Sequence, residues 1–382
     1  VAGYIFSLDN IDSLSESINN GVFSTNMNIP KNKIWNKSHE GTFADFITMK
    51  EGHNVYFFHK RMIYGVGRLI NIKGDCKFLN FPNADMPIVY EHTSLKNQMI
   101  LNNENNINNR MICCFEGFPY FFKNGVDMDE VLSFNPDKFK MLRAFWKLSF
   151  VKIDDEENKA LLDIIIKNNE ENLTEKKNIF PEKRSLHSRI KNIVNDDYTV
   201  NSDKILNLCA DSDGSVKHEM ALEAGILDYI SNKKANIFGE WDYLSHQVVA
   251  SPFKPIDYMD KMDIFGYRYI RYEPLIKELK TISKYLVIEI KKGSASIEDL
   301  NQTMKYVDWV NQEYSFGDYN MIEAFLVAFE FPDYVIKAKN DIVKRNYIKS
   351  RRPPVAMYWS NLKLIKYSFD TETNKLKFTL LD

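Results

Sequence analysis

No stretch of this 382-residue chain approaches the ~20 consecutive apolar residues that a membrane-spanning helix needs, so no membrane association of that kind is expected. Cysteine is scarce: Cys76, Cys113, Cys114 and Cys209 form no Cys-x-x-Cys pair and have no partnered histidine spacing. That argues against a disulfide scaffold and against a zinc site, and leaves reduced, buried thiols in a cytoplasmic protein as the expectation. An excess of one charge is missing as well. The 50 Lys+Arg and 52 Asp+Glu leave a net charge of -2, which excludes a uniformly basic coat but not a local basic patch. The opening Val1-Ala-Gly-Tyr-Ile-Phe6 has no basic start and no apolar core of the roughly 7–15 residues of a secretory signal, so none is expected. It begins on Val rather than Met, as a trimmed chain does. Internal repeats and low-complexity tracts are not evident.

What is present suits packed cores. The chain is 44% hydrophobic and 13% aromatic, which argues against global disorder, and its length favours two domains. Residues 1–160 carry aromatic and β-branched runs with short polar breaks. Val55-Tyr-Phe-Phe58 and Ile63-Tyr-Gly-Val-Gly-Arg-Leu-Ile70 read as strands around the His59-Lys-Arg61 turn. Gly65 and Gly67 inside the second strand mark a bend or a close approach. Phe145–Ile153 is a further strand candidate. This half reads as a small mixed barrel. Residues 161–205 read as a charged linker or helical connector.

From residue 206 helix and strand alternate. Val216–Ile230 has helical apolar spacing, and His246–Ala250, Met262–Ile270, Tyr285–Lys291 and Met321–Phe329 read as strands. Glu298–Glu313 reads as a helix, Pro353-Pro354 as a break, and Leu362–Phe369 with Lys375–Leu381 as a terminal hairpin. The fold class expected is two-domain, α/β and α+β.

Four features of the second half carry chemistry. Glu219 lies on a helix, Asp263 on a strand, Glu289-Ile-Lys291 on the next strand, and Gln302-Thr-Met-Lys-Tyr306 on the helix after it. Strand residues i and i+2 share a face, so Glu289 and Lys291 sit side by side at the end of an apolar strand. Charge buried there demands a partner or a metal. If the strands are neighbours, Asp263 and Glu289 converge into a hard oxygen site suited to Mg²⁺, with Mn²⁺ as a substitute and the Ile290 carbonyl as a further ligand. Lys291 adds a point charge suited to phosphate. Glu219 can supply another carboxylate, with Glu223 one turn on as the competing choice. Gln302 and Tyr306, four apart, share one helix face.

Asp263…Glu289-Ile-Lys291 resembles the active-site signature of the PD-(D/E)xK, restriction-endonuclease-like nucleases. Gln302-x-x-x-Tyr306 resembles the QxxxY element of the RecB-like and NucS-like branch, and Tyr285–Gly293 with Asp299-Leu-Asn-Gln302 is similar to the NucS-like catalytic segment. Glu219 matches the first-helix glutamate. The resemblance covers roughly residues 206–330 and departs from the motif at Met262, which stands in place of a proline that the family often lacks. It implies a Mg²⁺-dependent endonuclease, with the acids holding the metal and the lysine activating water or stabilising charge. Many such nucleases act as dimers, so a homodimer is expected by analogy. A non-catalytic nucleic-acid-binding protein on the same fold and an RNA nuclease are the alternatives.

Lys344, Arg345, Lys349, Arg351 and Arg352 form a basic segment attractive to phosphate backbones. Gln247 precedes the Ser251-Pro-Phe-Lys-Pro-Ile-Asp257 loop, which can line a substrate groove. In the first half, Phe43–Phe58 followed by Ile63–Leu69 resembles the EVE/PUA-like barrel pattern over roughly residues 1–155. That resemblance implies a reader of DNA, modified or not, with Trp35, Tyr64 and Phe57 as aromatic base-pocket candidates, alongside Phe115, Tyr120 and Trp146. A reader joined to a nuclease implies restriction or anti-phage defence, by analogy.

Overall fold

The computed structural model describes residues 1–141, 150–232, 236–250, 260–272 and 280–381. The chain divides into two compact units, Val1–Asn201 and Ser202–Asp382. No helix among the described residues is long and apolar enough to cross a membrane.

The first unit is built on a mixed sheet of β1 (Gly3–Ser7), β2 (Val22–Asn26), β3 (Asn54–His59), β4 (Met62–Leu69), β5 (Lys77–Leu79), β6 (Asn109–Gly117), β7 (Val126–Asp127) and β8 (Phe150–Ile153). Its main path runs β2-β6-β4-β3-β1-β8, with β5 on β6 and β7 on β4. The sheet curls without closing. Phe6 on β1 and Phe23 on β2 stand near opposite ends of that path, yet their rings stack with centroids 4.0 Å apart. The aromatic runs of the sequence therefore line the inside of the curl, where Phe57, Phe115 and Phe121 join the same cluster. The barrel expectation is corrected to this half-barrel. β3 and β4 meet at Lys60 and Arg61, both at positive φ, as a two-residue hairpin requires. Gly65 is a close-approach glycine: a Cβ there would lie 2.6 Å from the Tyr56 ring.

The segment expected as a charged linker or helical connector is largely helical, and most of it belongs to the first unit. Helices Asp155–Lys167, Glu170–Glu175 and Ser185–Ile193 cover it. Leu161, Ile164 and Ile165 are buried, and Ile190, Val194 and Tyr198 share one core with Val22, Phe78 and Ile112. The charge run is the wet face of amphipathic helices whose other face is core. All four cysteines are buried and none is in a disulfide; burial pushes the Cys76 thiol up to about 12.

The second unit holds a six-stranded mixed sheet in the order β16-β15-β12-β11-β10-β9. Its strands are β9 (Tyr243–Val249), β10 (Lys261–Tyr269), β11 (Ile282–Ser294), β12 (Ile322–Glu330), β15 (Leu362–Asp370) and β16 (Lys375–Leu381); β13 (Arg345–Arg351) and β14 (Pro354–Trp359) form a separate two-stranded ribbon. β11, β12 and β15 are parallel, the outer pairings antiparallel. Parallel neighbours need crossovers, and the Ile297–Glu313 and Asp333–Ile342 helices supply them. β11 and β12 are buried on both faces, which explains their near-continuous apolar runs. Gly266 lets β9 and β10 close up, since a Cβ there would lie 2.6 Å from the Tyr243 carbonyl oxygen. The basic segment lies on and beside the β13–β14 ribbon, with Pro353 in its turn.

Replacing Phe6 by Ala removes the ring that bridges the two ends of the first sheet. Urea unfolding followed by near-ultraviolet circular dichroism should show a loss of about 3–5 kcal/mol. A loss below about 1 kcal/mol would mean that the stacked pair does not hold the curl.

Candidate functional site

Strand register builds the site. Met262 and Ile264, the neighbours of Asp263 on β10, are fully buried, and the pairing Ile264↔Ile288 sets Asp263 across from Glu289 on β11. On the other side Met262↔Val248 and Ile264↔His246 set it across from Gln247 on β9. Asp263 Oδ2 accepts the Ile290 backbone N–H at 2.7 Å. Lys291 Nζ donates to Glu289 Oε1 at 2.7 Å and stands 3.7 Å from Asp299 Oδ1. Glu289 is 1% exposed, and its Oε2 is buried with no hydrogen-bond partner among the described residues.

Two helices close on this pair of strands. From the Glu219–Asn232 helix, buried Glu223 accepts the Gln247 side-chain amide at 2.9 Å, and the same amide lies 3.4 Å from Asp263 Oδ1. His246 Nδ1 is 3.6 Å from Glu223 Oε2. Gln247 has φ +52°, a left-handed conformation inside a strand that costs a glutamine of order 1 kcal/mol. The Ile297–Glu313 helix starts with a reciprocal cap, Ser296 with Asp299, so the residue that faces Lys291 also pins the helix end. One turn along, Gln302 Nε2 donates to the Tyr306 hydroxyl at 2.9 Å.

Burial and like charge dominate the electrostatics. Burial lifts the Asp263 carboxyl well above its usual range, and Glu289 and Glu223 push the same way against the Ile290 N–H and Lys291. Burial raises Glu223 too, opposed by His246 and Gln247. Burial pushes Glu289 up to about 7 although Lys291 pulls it down. Burial alone lowers the Lys291 ammonium, but Glu289, Asp263 and Asp299 outweigh it and hold it above its usual value. The Tyr306 phenol is raised by burial and by the field of Glu289 and Asp263. Such a centre is short of positive charge. Its carboxylate oxygens are hard donors with no sulfur among them.

The structure thus brings Asp263, Glu289 and Lys291 together, with Gln302 and Tyr306 beside them. Of the two first-helix acids, Glu223 is the one tied to the cluster. Glu219 lies instead 3.4 Å from the Lys292 backbone N–H. Gln247, expected to face nucleic acid, has its amide on Glu223 and Asp263. Arg345 is engaged three ways with Asp308 rather than free; Lys344, Lys349, Arg351 and Arg352 lie on or beside the ribbon. Three base-pocket candidates, Trp35, Phe57 and Phe115, are corrected: they lie in the core, with Trp35 Nε1 donating to the Asp85 carbonyl, so none presents a ring face to a ligand. Tyr64 is half-buried, edge-on to Phe180. Trp146 and the 251–257 loop lie outside the described residues. Sequence reasoning missed the pairing of Asp299 with Lys291, although Ser296-x-x-Asp299 carries a capping signature. It also missed the approach of His246 to Glu223 and that of Cys209 Sγ to His218 Nδ1, 3.8 Å apart.

No family model matches the chain, and no curated protein does. Among solved structures, a repair endonuclease from Pyrococcus abyssi is similar to part of it, at 20% identity and a TM-score of 0.18. That match covers 27% of this chain and 34% of the other. A likeness this slight decides neither fold nor activity.

The raised Glu289 carboxyl makes a signed prediction. Between the ordinary 4.5 and about 7, the folded chain keeps a proton that the unfolded chain has released, so this group costs stability as pH rises across that window. In chelator, Glu289→Gln should therefore gain on wild type by up to about 1.4 kcal/mol per pH unit there. Added Mg²⁺ should raise the melting temperature of the wild type alone, and more at about pH 8 than at about pH 5. Parallel pH profiles for the two proteins would contradict this account of the site.

Proposed function

We propose that the second unit is a metal-dependent nuclease of the PD-(D/E)xK kind, hydrolysing phosphodiester bonds of DNA. One observation carries the reading: a buried Glu289 carboxylate oxygen without a partner, beside Asp263 and an ammonium. An unmet buried acceptor costs about 1–3 kcal/mol, which a bound cation would relieve.

Asp263 and Glu289 would hold Mg²⁺, with the Ile290 carbonyl as a further ligand and Glu223 reaching it through water. When bound, the ion polarises a phosphoryl oxygen and eases deprotonation of water. Lys291, held protonated by three carboxylates, acts as a charge toward the phosphate and not as a base. Gln302 orients the Tyr306 hydroxyl by donating to it, which directs the phenol proton outward as a donor. In the reaction a water oxygen bonds to phosphorus, the bond to the 3′ oxygen breaks, and the proton that water loses balances the one the 3′ hydroxyl gains. A 5′-phosphate remains.

The first unit is proposed as a reader that holds the DNA, on the EVE/PUA-like resemblance. A surface stacking pair supports it: the Arg68 guanidinium lies 3.1 Å over the ring of Phe118, which is 41% exposed. By analogy the assembly serves restriction or anti-phage defence.

Cleavage of supercoiled plasmid and of modified phage DNA in Mg²⁺ or Mn²⁺ tests the reading. Asp263→Ala and Lys291→Ala should each lose about 100-fold or more, and chelation should abolish cutting. Wild-type rates in both variants would sink the nuclease. Binding without cleavage in every metal would make the unit a non-catalytic binder.

A further inference from the structure

The second unit carries a feature that the cleavage reading does not use. Among the described residues β13 and β14 form a ribbon paired only to each other, from Arg345↔Trp359 to Arg351↔Pro354. Cross-strand partners share a face, so the ribbon has two distinct sides. One side is tethered. Arg345 grips Asp308 with Nε and Nη2, Trp359 is buried with its Nε1 donating to the Ile322 carbonyl, and Tyr347 lies 5.6 Å from the Tyr319 ring.

The other side is open. It presents Asn346, Ile348, Ala356 and Tyr358, and every one is exposed, Ile348 by 62% and Tyr358 by 63%. The register shifts between Ile348 and Ser350, which leaves Lys349 as the bulged, exposed residue. Arg351 and Arg352 follow at the tip, both exposed. No acidic residue occurs from Arg345 to Trp359. An isolated two-stranded ribbon is marginal in water, and this one adds bare apolar and cationic side chains. Asp308 matters further because it lies on the Ile297–Glu313 helix, two residues beyond Tyr306. The ribbon is therefore clamped to the helix that borders the carboxylate cluster.

We propose that this ribbon docks in the major groove of B-form DNA, with Lys349, Arg351 and Arg352 on phosphates and the Ile348–Tyr358 side against base edges. The inference deepens the nuclease reading and rests on it for the polyanionic partner. Two strands spaced about 4.8 Å apart, with their side chains, match a groove about 12 Å wide. The major groove of A-form RNA is deep and narrow and excludes them, so DNA is the duplex preferred. The clamp on Asp308 turns groove binding into placement: the same helix that carries Gln302 and Tyr306 sets where the backbone lies relative to the cluster.

Binding measured without divalent metal separates this proposal from the cleavage reading. The full chain would be titrated with a 30-base-pair DNA duplex, an RNA duplex of the same sequence, and phosphatidylserine vesicles. The variants are Lys349→Ala/Arg351→Ala/Arg352→Ala and Ile348→Ser/Tyr358→Ser. The expectation is that the triple variant binds DNA at least about tenfold more weakly at 0.1 M salt, with a slope of log affinity against log salt shallower by about 2–3. The double variant should lose affinity with its salt slope unchanged. Circular dichroism and melting should match wild type in both, as the altered side chains are exposed. DNA affinity unchanged in both variants overturns the proposal. So does equal preference for RNA, or a triple variant that loses vesicles but keeps DNA. Should Asp263→Ala cut normally while the ribbon variants lose DNA, the cleavage reading falls and the ribbon stands.

Discussion

Two carboxylates facing each other across buried neighbouring strands form the constraint on which the second unit depends. The register of β10 and β11 sets Asp263 against Glu289, and neither can move away without breaking a ladder flanked by fully buried residues. Burial and mutual repulsion both resist ionisation there. Lys291 and the Ile290 N–H relieve part of that cost, but Glu223 adds a third acid from the helix side. A fold assembled for stability alone has better options, since well-packed apolar residues match or exceed a buried ion pair. The arrangement makes physical sense as a place kept ready for added positive charge.

The rest of the unit can be understood as support for that place. Gln247 accepts a left-handed backbone so that one amide can reach both Glu223 and Asp263. The Ser296–Asp299 cap fixes the start of the long helix and faces Lys291 at the same time. Further along, Asp308 ties that helix to the ribbon through Arg345. One 17-residue helix thus links cap, hydroxyl donor and ribbon anchor. Their spacing is thus set by a rigid element instead of by loops.

The elements of the second unit are largely legible in the sequence, because its signals are local. Apolar runs flanked by turn residues mark β10, β11, β12, β15 and β16 to within a few residues, and the i, i+2 rule alone pairs Glu289 with Lys291. What stays hidden depends on distant chain. Nothing in sequence distinguishes Glu219 from Glu223, which differ by one helical turn; the position of Gln247 on β9 decides which is drawn in. The residues at 161–205 read as a connector because their charges are conspicuous, while Ile190, Val194 and Tyr198 become core only against Val22 and Ile112. Trp35 and Phe57 illustrate the same limit: an aromatic lining a pocket and one filling a core look alike until neighbours are known. Arg345 is one cation among several until Asp308 meets it.

The most direct test of the central claim is anomalous diffraction from crystals soaked in Mn²⁺. The account predicts a single strong peak about 2.0–2.3 Å from Glu289 Oε2 and from a carboxylate oxygen of Asp263. A site with no peak would contradict it.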